Sequence, residues 1–591
     1  MPPRQSLLHD IENAIAETRD PKTFIQRLLI DALQWELDER ATDIEDISFD
    51  WSTTDLRAEG LDEKIADGTI RQLRPMGDNP WGIFIVEFNH PEVFTTGRGM
   101  TGPLRRILRG LVPKKRKQST LASFKREHLL FICTHGFEHY RFAYFKAPPT
   151  GTATAPLAAF GWGPEGPQRT LCEFNLPELA WPHPRPSADE WIAGWSRAFD
   201  VEKVTKRFYE DYAAVFDSVE RAIGRANKLG DEELRLFTQT LFNRLMFLRF
   251  IERKGWLEFN RRHDYLRALF SAPALRGRSF YTARLQPLFF KGLAIEGEQQ
   301  SEAIGRVPFL NGGLFESAEL DAKVKEIPDG AFESIIGSGG LFYRYNFTVE
   351  ESTPLDIEVA VDPEMLGKVF EELVTGRHES GSYYTPRPIV SFMCREALKS
   401  FLGERSNASP EAIGSLVDQH EVRKLKETQA REILAALDDL KAVDPACGSG
   451  AYLLGLMQEM IALYRLLYSE RLIKDSRSLY ELKLRIISQN LYGVDIDQFA
   501  TNIAMLRLWL SLAVEANDPL PLPNLDFKIE TGDSLLAPDP HQMPDLFRAR
   551  LQQSADVLAM VKHQQFPLSA AGGAGGRPTV VHARGSVTLL R

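Results

Sequence analysis

The sequence predicts a multidomain α/β protein with an amino-terminal α/β module, a helical connector domain, and a third domain in which helices cover a parallel sheet. The chain has 591 residues, too many for one hydrophobic core, since single cores stop growing near about 250–300 residues. Apolar residues at three- and four-residue spacing indicate helices in the middle of the chain, and short strand-like runs alternate with long helical stretches after it. That alternation is typical of a parallel sheet with crossover helices. We place the domains at 1–150 (α/β module), 151–230 (connector), 231–355 (helical domain), 356–540 (parallel-sheet domain) and 541–591 (helix and glycine-rich tail).

Each region has its own signature. Residues 81–88 and 128–136 are β-rich runs, whereas the Pro- and Gly-rich stretch 147–168 is expected to be an irregular connector. Residues 231–259 show the clearest helical periodicity. The glycine-rich end of the chain has neither helical nor strand periodicity, and we expect it to be disordered.

Composition narrows the class of protein. Hydrophobic residues make up 43% and charged residues 26% of the chain, which is typical of soluble globular domains. The four cysteines have no CxxC spacing, which argues against a zinc site or a disulfide framework and favours a reducing cytoplasm. No stretch approaches about 18 consecutive apolar residues, so we expect no membrane anchor. Because the net charge is −10, any DNA-binding surface would have to be a local patch.

The most specific string is Asp444-Pro445-Ala446-Cys447-Gly448-Ser449-Gly450, between a strand-like and a helical run. Glycines there let the backbone approach a ligand closely, and free amides at a helix start attract anionic groups. Leu453 stands where the third glycine of the dinucleotide fingerprint would fall, which argues against a dehydrogenase. The string resembles motif I of DNA amino-methyltransferases, whose glycines border the methionine part of S-adenosylmethionine. The resemblance implies that this cofactor is bound by Asp444, Pro445, Ala446, Gly448 and Gly450.

Two acidic residues follow later strand-like runs. Asp495 ends the run that starts at Asn490, where a carboxylate can accept both ribose hydroxyls of a nucleoside, and we assign Ile496 to the same site. The distance from motif I exceeds the usual separation of about 20 residues, so we expect an extra helical segment near 470–488. Asp497 is expected to cap the next helix. By resemblance, Asp533 lies beside the cofactor adenine.

An upstream string completes the resemblance. Residues 381–390 are similar to the segment that precedes motif I in the γ arrangement of adenine methyltransferases, which implies cofactor contacts for Tyr384, Thr385 and Pro386. Thr385 would cap a helix starting at Pro386. Strings at 307–315 and 362–367 look like helical-domain signatures of the large fused, type IIG-like restriction-modification methyltransferases.

The resemblance covers roughly residues 230–540 and implies both a fold and an activity. The implied fold is a partial Rossmann-like class I S-adenosylmethionine-dependent methyltransferase domain. The implied activity is that of an adenine-specific DNA methyltransferase of a restriction-modification or related phage-defence system. Such an enzyme transfers a methyl group from S-adenosylmethionine to the adenine amino group in double-stranded DNA.

One catalytic feature of such enzymes is missing from the sequence. Motif IV, an Asn/Asp/Ser-Pro-Pro-aromatic turn, holds the flipped adenine, but the Pro-Pro pairs at 2–3 and 148–149 lack the flanking polar and aromatic residues. We therefore assign no catalytic residue. The sequence suggests a reading frame truncated before this motif. The alternative is a binding protein: an inactive fragment, or the amino-terminal half of a split enzyme completed by a downstream polypeptide.

The amino-terminal module carries two further signals. Asp78 and Glu87 resemble part of a PD-(D/E)xK nuclease, but Asn89 stands where the lysine should be, which predicts a degenerate nuclease or a DNA-binding module. A basic cluster follows that could contact DNA phosphates, and a solvated surface is an equal interpretation. The basic cluster consists of Arg105, Arg106, Arg109, Lys114, Lys115, Arg116 and Lys117.

Overall fold

The structure is a computed structural model of the chain. The residues that it describes are 4–50, 65–74, 81–95, 104, 128–146, 157–262, 264–273, 278–310, 313–348, 356–361, 365, 367, 385, 387–422, 424–469, 477–516, 518–525 and 528–536.

The strands form a large mixed sheet, a short hairpin and a parallel sheet. They are β1 Ser48–Asp50, β2 Ile65–Leu73, β3 Trp81–Phe88, β4 His128–His135, β5 His139–Lys146, β6 Leu157–Trp162, β7 Gln299–Ser301, β8 Gly305–Val307, β9 Asp356–Glu358, β10 Ala442–Asp444, β11 Leu491–Asp495 and β12 Ile529–Thr531. The mixed sheet has the order β1-β2-β3-β4-β5-β6-β9, and the parallel sheet has the order β10-β11-β12.

The α-helices lie in all parts of the described chain. They are α1 Arg4–Glu17, α2 Pro21–Thr23, α3 Ile44–Ile47, α4 Glu92–Thr95, α5 Ala188–Ala198, α6 Val201–Ala226, α7 Asp231–Arg253, α8 Tyr265–Ser271, α9 Glu319–Lys323, α10 Asp329–Ile336, α11 Leu341–Arg344, α12 Arg387–Arg405, α13 Pro410–Gln419, α14 Glu427–Asp439, α15 Ala451–Ser469, α16 Leu479–Gln489 and α17 Gln498–Glu515. Further helical segments of π or 3-10 type are Phe24–Ala32, Leu171–Asn175, Leu176–Leu179, Tyr281–Leu285 and Leu288–Leu293. None of the described helices is long and apolar enough to cross a membrane.

The mixed sheet is built on the apolar runs of the amino-terminal module. The strands predicted at 81–88 and 128–136 are present as β3 and β4, which pair in parallel, whereas β4 and β5 form an antiparallel pair. Residues of β4 are buried on both faces, which explains why the run is continuously apolar rather than alternating. Strand β9 joins the far edge of this sheet by parallel pairing with β6.

The prediction of an irregular connector over 147–168 is wrong for residues 157–162. These residues form β6, which pairs with β5 in antiparallel register from Tyr140 opposite Trp162 to Phe145 opposite Leu157. Glycine in this strand reflects a close backbone approach: a Cβ at residue 161 would lie 2.3 Å from the carbonyl oxygen of Tyr140. The glycine that suggested a loop is therefore a requirement of strand pairing.

The helical region predicted in the middle of the chain is present. Helix α7 begins with three acidic residues in its first turn, which suit the positive end of the helix dipole. It ends at Arg253, and Gly255 has a φ of +73°, so the predicted helix is wrong for 254–259. The buried guanidinium of Arg244 binds both carboxylate oxygens of Asp321, at 2.7 and 3.1 Å. This bidentate pair connects α7 to α9.

The predicted parallel sheet follows at 442–531. Residue 442 lies opposite Leu491 and residue 493 opposite Ile529, so the carboxyl ends of the three strands meet at one edge. Helix α15 and the additional helix α16 lie between β10 and β11. The extra helical segment expected near 470–488 is confirmed from residue 479 onward, whereas residues 470–476 lie outside the described residues. Helix α17 lies between β11 and β12, and Asp497 caps it by accepting the amide hydrogen of Phe499 at 2.8 Å, as predicted.

Helix α17 is buried on nearly all sides rather than amphipathic. It contacts strands β11 and β12 of the parallel sheet, the helix α16, and α7 of the helical region. Two side chains of the α7 region bind its backbone: Gln239 Nε2 donates to Phe499 O, and Lys254 Nζ donates to Val514 O, both at 2.8 Å. The helical region and the parallel sheet thus share one hydrophobic core, which includes the buried apolar residues of α17.

Candidate cofactor site

The candidate site is the turn that joins β10 to α15. Gly448 and Gly450 have positive φ angles of 51° and 82°, a conformation that glycine adopts at little cost. The amide of Gly450 closes the turn by donating to Cys447 O at 2.8 Å, and the amide of Cys447 anchors it to β11 by donating to Val494 O at 2.9 Å. Helix α15 starts directly afterwards at Ala451. The predicted strand, glycine turn and helix are present in that order.

Asp495 lies at the carboxyl end of β11 beside this turn. Its Oδ2 accepts the amide hydrogen of Gly448 at 2.8 Å, and its Oδ1 accepts that of Asp497 at 2.9 Å. Each carboxylate oxygen has further lone pairs, so the group retains capacity for ligand hydroxyls. The glycine turn lies close to β11, as shown by the space at Gly493: a Cβ at that residue would lie 2.9 Å from Cys447 Sγ. The structure thus brings two predicted site residues into direct contact.

Asp444, at the end of β10, has one unsatisfied carboxylate oxygen. Its Oδ1 accepts the amide hydrogen of Ala446 at 3.2 Å, whereas its Oδ2 is buried without a hydrogen-bond partner. Burial raises the pKa of the Asp444 carboxyl, and the nearby Asp495 carboxylate raises it further. Burial likewise raises the pKa of the Cys447 thiol to about 12, and both carboxylates add to that effect. The turn therefore lies in a region of negative charge that contains a buried acceptor.

The segment after β12 is bound to both of these elements. The amide of Gly532 donates to Asp495 O at 2.8 Å, and the hydroxyl of Ser534 donates to Pro445 O at 2.6 Å. Asp533 lies between these two contacts in the sequence. The three predicted motif segments therefore meet at one edge of the parallel sheet.

Large apolar side chains are exposed at the same edge. Asp533 Oδ1 accepts the amide hydrogens of Leu535 and Leu536 at 2.9 and 3.3 Å. These two leucines are 94% and 80% exposed, and Ile496, next to Asp495, is 74% exposed. Ligand pockets typically combine apolar lining with a few polar groups. The edge therefore presents both kinds of surface.

The segment upstream of motif I is described only in part. Thr385 is half-buried, whereas Tyr384 and Pro386 lie outside the described residues, so their predicted contacts stay predictions. Helix α12, which follows, packs on α15 at a glycine: a Cβ at residue 455 would lie 2.3 Å from Val390 Cγ1. This packing places the start of α12 near the beginning of α15.

The signals of the amino-terminal module are tested only in part. Asp78 and all seven residues of the basic cluster, Arg105 to Lys117, lie outside the described residues. Glu87 lies in β3 with Thr134 of β4 as its register partner. Among the described residues, no group of three or more His, Cys, Asp or Glu side chains could hold a metal ion.

Two contacts of the site were not predicted from the sequence. Arg507 of α17 binds Ser449 in the glycine turn, and Ser534 binds Pro445. An arginine within the otherwise apolar run 505–510 was a signal that could have indicated the first contact, because a charge in a buried helix requires hydrogen-bond partners. The serine contact had no local signal.

Comparison with known proteins finds a family match within the region that contains the parallel sheet. Residues 419–518 match the family model of the DNA-methyltransferase domain of MmeI. The chain is 31% identical over 380 residues to a Methanocaldococcus jannaschii protein named "Putative type II restriction enzyme and methyltransferase". That alignment covers 58% of this chain and 31% of the relative, so the chain spans about a third of the length of the curated relative that it matches.

Solved structures of restriction-modification enzymes are also similar. The type IIL enzyme MmeI in complex with DNA has a TM-score of 0.38 and 17% identity, over 56% of this chain and 40% of that one. The type IIG endonuclease BpuSI has a TM-score of 0.27 and 13% identity, over 83% and 42% of the two chains. By sequence, residues 419–518 are thus similar to the DNA-methyltransferase domain of MmeI, and the chain is similar to a restriction-modification protein.

Proposed function

We propose that the chain is the cofactor-binding part of an S-adenosylmethionine-dependent DNA methyltransferase of the restriction-modification type, specific for adenine. The observation that carries the proposal is the contact between the Asp495 carboxylate and the Gly448 amide at the carboxyl edge of a parallel sheet. Doubly wound folds bind nucleosides at this edge, outside the carboxyl ends of the strands. The match to a DNA-methyltransferase domain supports DNA as the substrate.

Charge favours this cofactor over a nucleotide with several phosphates. The glycine turn lies beside two carboxylates, Asp444 and Asp495, and each phosphate would add repulsion at close range. S-adenosylmethionine instead carries an ammonium and a sulfonium group. The buried Oδ2 of Asp444 has no hydrogen-bond partner. The ammonium group of the cofactor would donate a hydrogen bond to this oxygen. The described residues therefore fit the cofactor.

Several of the predicted residues then have distinct proposed roles. The glycine turn borders the methionine part, Asp495 accepts the ribose hydroxyls, and Asp533 accepts from the adenine amine. Ile496 contributes an exposed apolar surface beside the ribose carboxylate. When bound, the cofactor supplies an electrophilic methyl group, and the residues of this chain orient it. These residues position a ligand and hold no proton that the transfer would require.

The chain contains no Pro-Pro-aromatic turn after a polar residue. In the split-enzyme alternative, a downstream polypeptide supplies this turn and the contacts with the flipped base. The basic cluster is a proposed contact with double-stranded DNA. In the second alternative, the chain binds cofactor or DNA without any transfer.

Two measurements separate these possibilities. Isothermal titration of the chain with S-adenosylmethionine tests the cofactor site, and no heat of binding would refute it. A tritiated-methyl transfer assay on mixed genomic DNA then tests activity, with the chain alone and with any polypeptide encoded next to it. We expect label in adenine only in the combined reaction. Label from the chain alone would refute the split arrangement, and no label in either would favour the binding-only protein.

A further inference from the structure

Helix α17 carries a buried cation that is not part of the recognised motifs. Arg507 is 3% exposed. Its Nη1 donates to the carbonyl oxygen of Ser449 at 2.7 Å and to the hydroxyl of the same residue at 3.2 Å. Ser449 is the residue between the two glycines of the turn. Hydrogen bonds from a charged donor are about twice as strong as neutral ones, so this contact is a strong restraint on the turn.

The contact fixes one peptide unit at both ends. The carbonyl of Ser449 and the amide of Gly450 belong to the same planar peptide. Arg507 binds the carbonyl, and the amide donates to Cys447 O at 2.8 Å. The peptide therefore cannot rotate without breaking both bonds. Because glycine populates many backbone conformations when free, a side chain that selects one of them orders the turn.

The same guanidinium explains a glycine in the upstream string at 362–367. A Cβ at residue 367 would lie 2.4 Å from Nη1 and 2.6 Å from Cζ of Arg507. The guanidinium thus occupies the space that any side chain at Gly367 would need. Arg507 therefore lies against Gly367 and binds the glycine turn simultaneously.

A second residue of α17 also packs against the glycine turn. Ala504 lies one helical turn before Arg507, and a Cβ at residue 450 would lie 3.1 Å from its Cβ. Residues three apart share one face of a helix. One face of α17 therefore supports the turn with a small apolar residue and a charged donor.

We propose that Arg507 is a positioning residue that holds the Ser449–Gly450 peptide in the conformation that binds S-adenosylmethionine. This inference rests on the proposed cofactor site. The apparent affinity of a site falls in proportion to the fraction of molecules that have the competent conformation. Losing the arginine therefore weakens cofactor binding without removing any group that touches the ligand.

The first test compares Arg507→Lys with the natural chain by titration with S-adenosylmethionine. Lysine lacks the planar fork of donors, and we expect Kd to rise at least about ten-fold, the change that 1.4 kcal/mol produces. Arg249→Lys is the matched control, because Arg249 is also a buried helical arginine and donates to a backbone carbonyl, that of Phe342, at 2.9 Å. We expect both variants to lower the unfolding temperature and only the first to change Kd. An unchanged Kd in Arg507→Lys would overturn the proposal.

A second variant keeps the test valid if Arg507→Lys does not fold. Gly367→Ala forces the guanidinium to move while the arginine remains, so Kd should rise in this variant as well. In the Arg507→Lys background the alanine should add little, because the displaced group is already gone. Fully additive losses in this double-mutant cycle would contradict the shared mechanism.

A measurement without ligand separates this inference from the proposed function. Hydrogen exchange should show weaker protection of the Gly450 amide in Arg507→Lys than in the natural chain. If the natural chain binds neither S-adenosylmethionine nor S-adenosylhomocysteine, the proposed function fails, while the exchange result still decides whether Arg507 orders the turn. Equal protection in the two proteins would refute the ordering role.

Discussion

Replacing Asp495 with alanine should remove most of the cofactor affinity. In the proposed complex the carboxylate accepts two ribose hydroxyls, and each hydrogen bond to a charged group contributes about 1.5–3 kcal/mol. The lower limit for two such bonds is about 3 kcal/mol, or more than a hundred-fold in Kd. The variant also removes the acceptor of the Gly448 amide, so the turn loses support and the loss should exceed this limit. Asp495→Asn keeps one acceptor oxygen and should show an intermediate Kd.

The control for this prediction lies two residues further on. Asp497 caps α17 through the amide of Phe499, and its removal should cost about 1 kcal/mol of stability and leave Kd nearly unchanged. Both variants would be titrated with S-adenosylmethionine, and their unfolding would be followed by circular dichroism. If Asp495→Ala binds as tightly as the natural chain, or if Asp497→Ala weakens binding equally, Asp495 has no specific role in the site.

Three further predictions follow from buried groups. Burial and a neighbouring carboxylate raise the pKa of Asp444. A cation held by this carboxylate should therefore be released as the pH falls from neutral through the raised pKa. Titrations with S-adenosylmethionine at several pH values should show this loss of affinity, and Asp444→Asn should remove the pH dependence. Asp321→Ala leaves the buried guanidinium of Arg244 without its carboxylate and should lower the free energy of unfolding in urea by about 3–5 kcal/mol; a change below about 1 kcal/mol would contradict this. Gly161→Ala places a Cβ 2.3 Å from the carbonyl oxygen of Tyr140, so the variant should unfold at a lower temperature than the natural chain. An unchanged unfolding temperature would contradict this prediction, because it would mean that β6 can move away from β5 without loss of stability.

The motif segments of the parallel sheet were predictable because each is contiguous in sequence. A strand-like run, a turn with Gly448 and Gly450, and a long helical run identify one βα unit by local rules alone. Asp495 ends a second such run, and parallel strands place their carboxyl ends at one edge. The contact between these segments follows from topology, without knowledge of any side-chain packing.

The elements that sequence analysis missed depend on residues far apart in the chain. Strand β9 joins β6 across about two hundred residues, and no local pattern encodes such a pairing. Gly161 looked like a loop residue, although the adjacent strand requires it. Arg507 binds a carbonyl 58 residues earlier. In each case the deciding contact is tertiary, which composition and periodicity do not encode.

The glycine turn depends on more of the chain than the residues that match the methyltransferase family model. That match spans 419–518. Helix α17, whose Arg507 binds the turn, is buried on nearly all sides, and a helix buried in this way requires packing partners on several faces. Besides the parallel sheet and α16, α17 contacts α7, and Gln239 of that helix binds the first turn of α17. The backbone contact from Lys254, just after α7, holds the other end. The helical region therefore contributes, through Gln239 and Lys254, to holding the helix that carries Arg507.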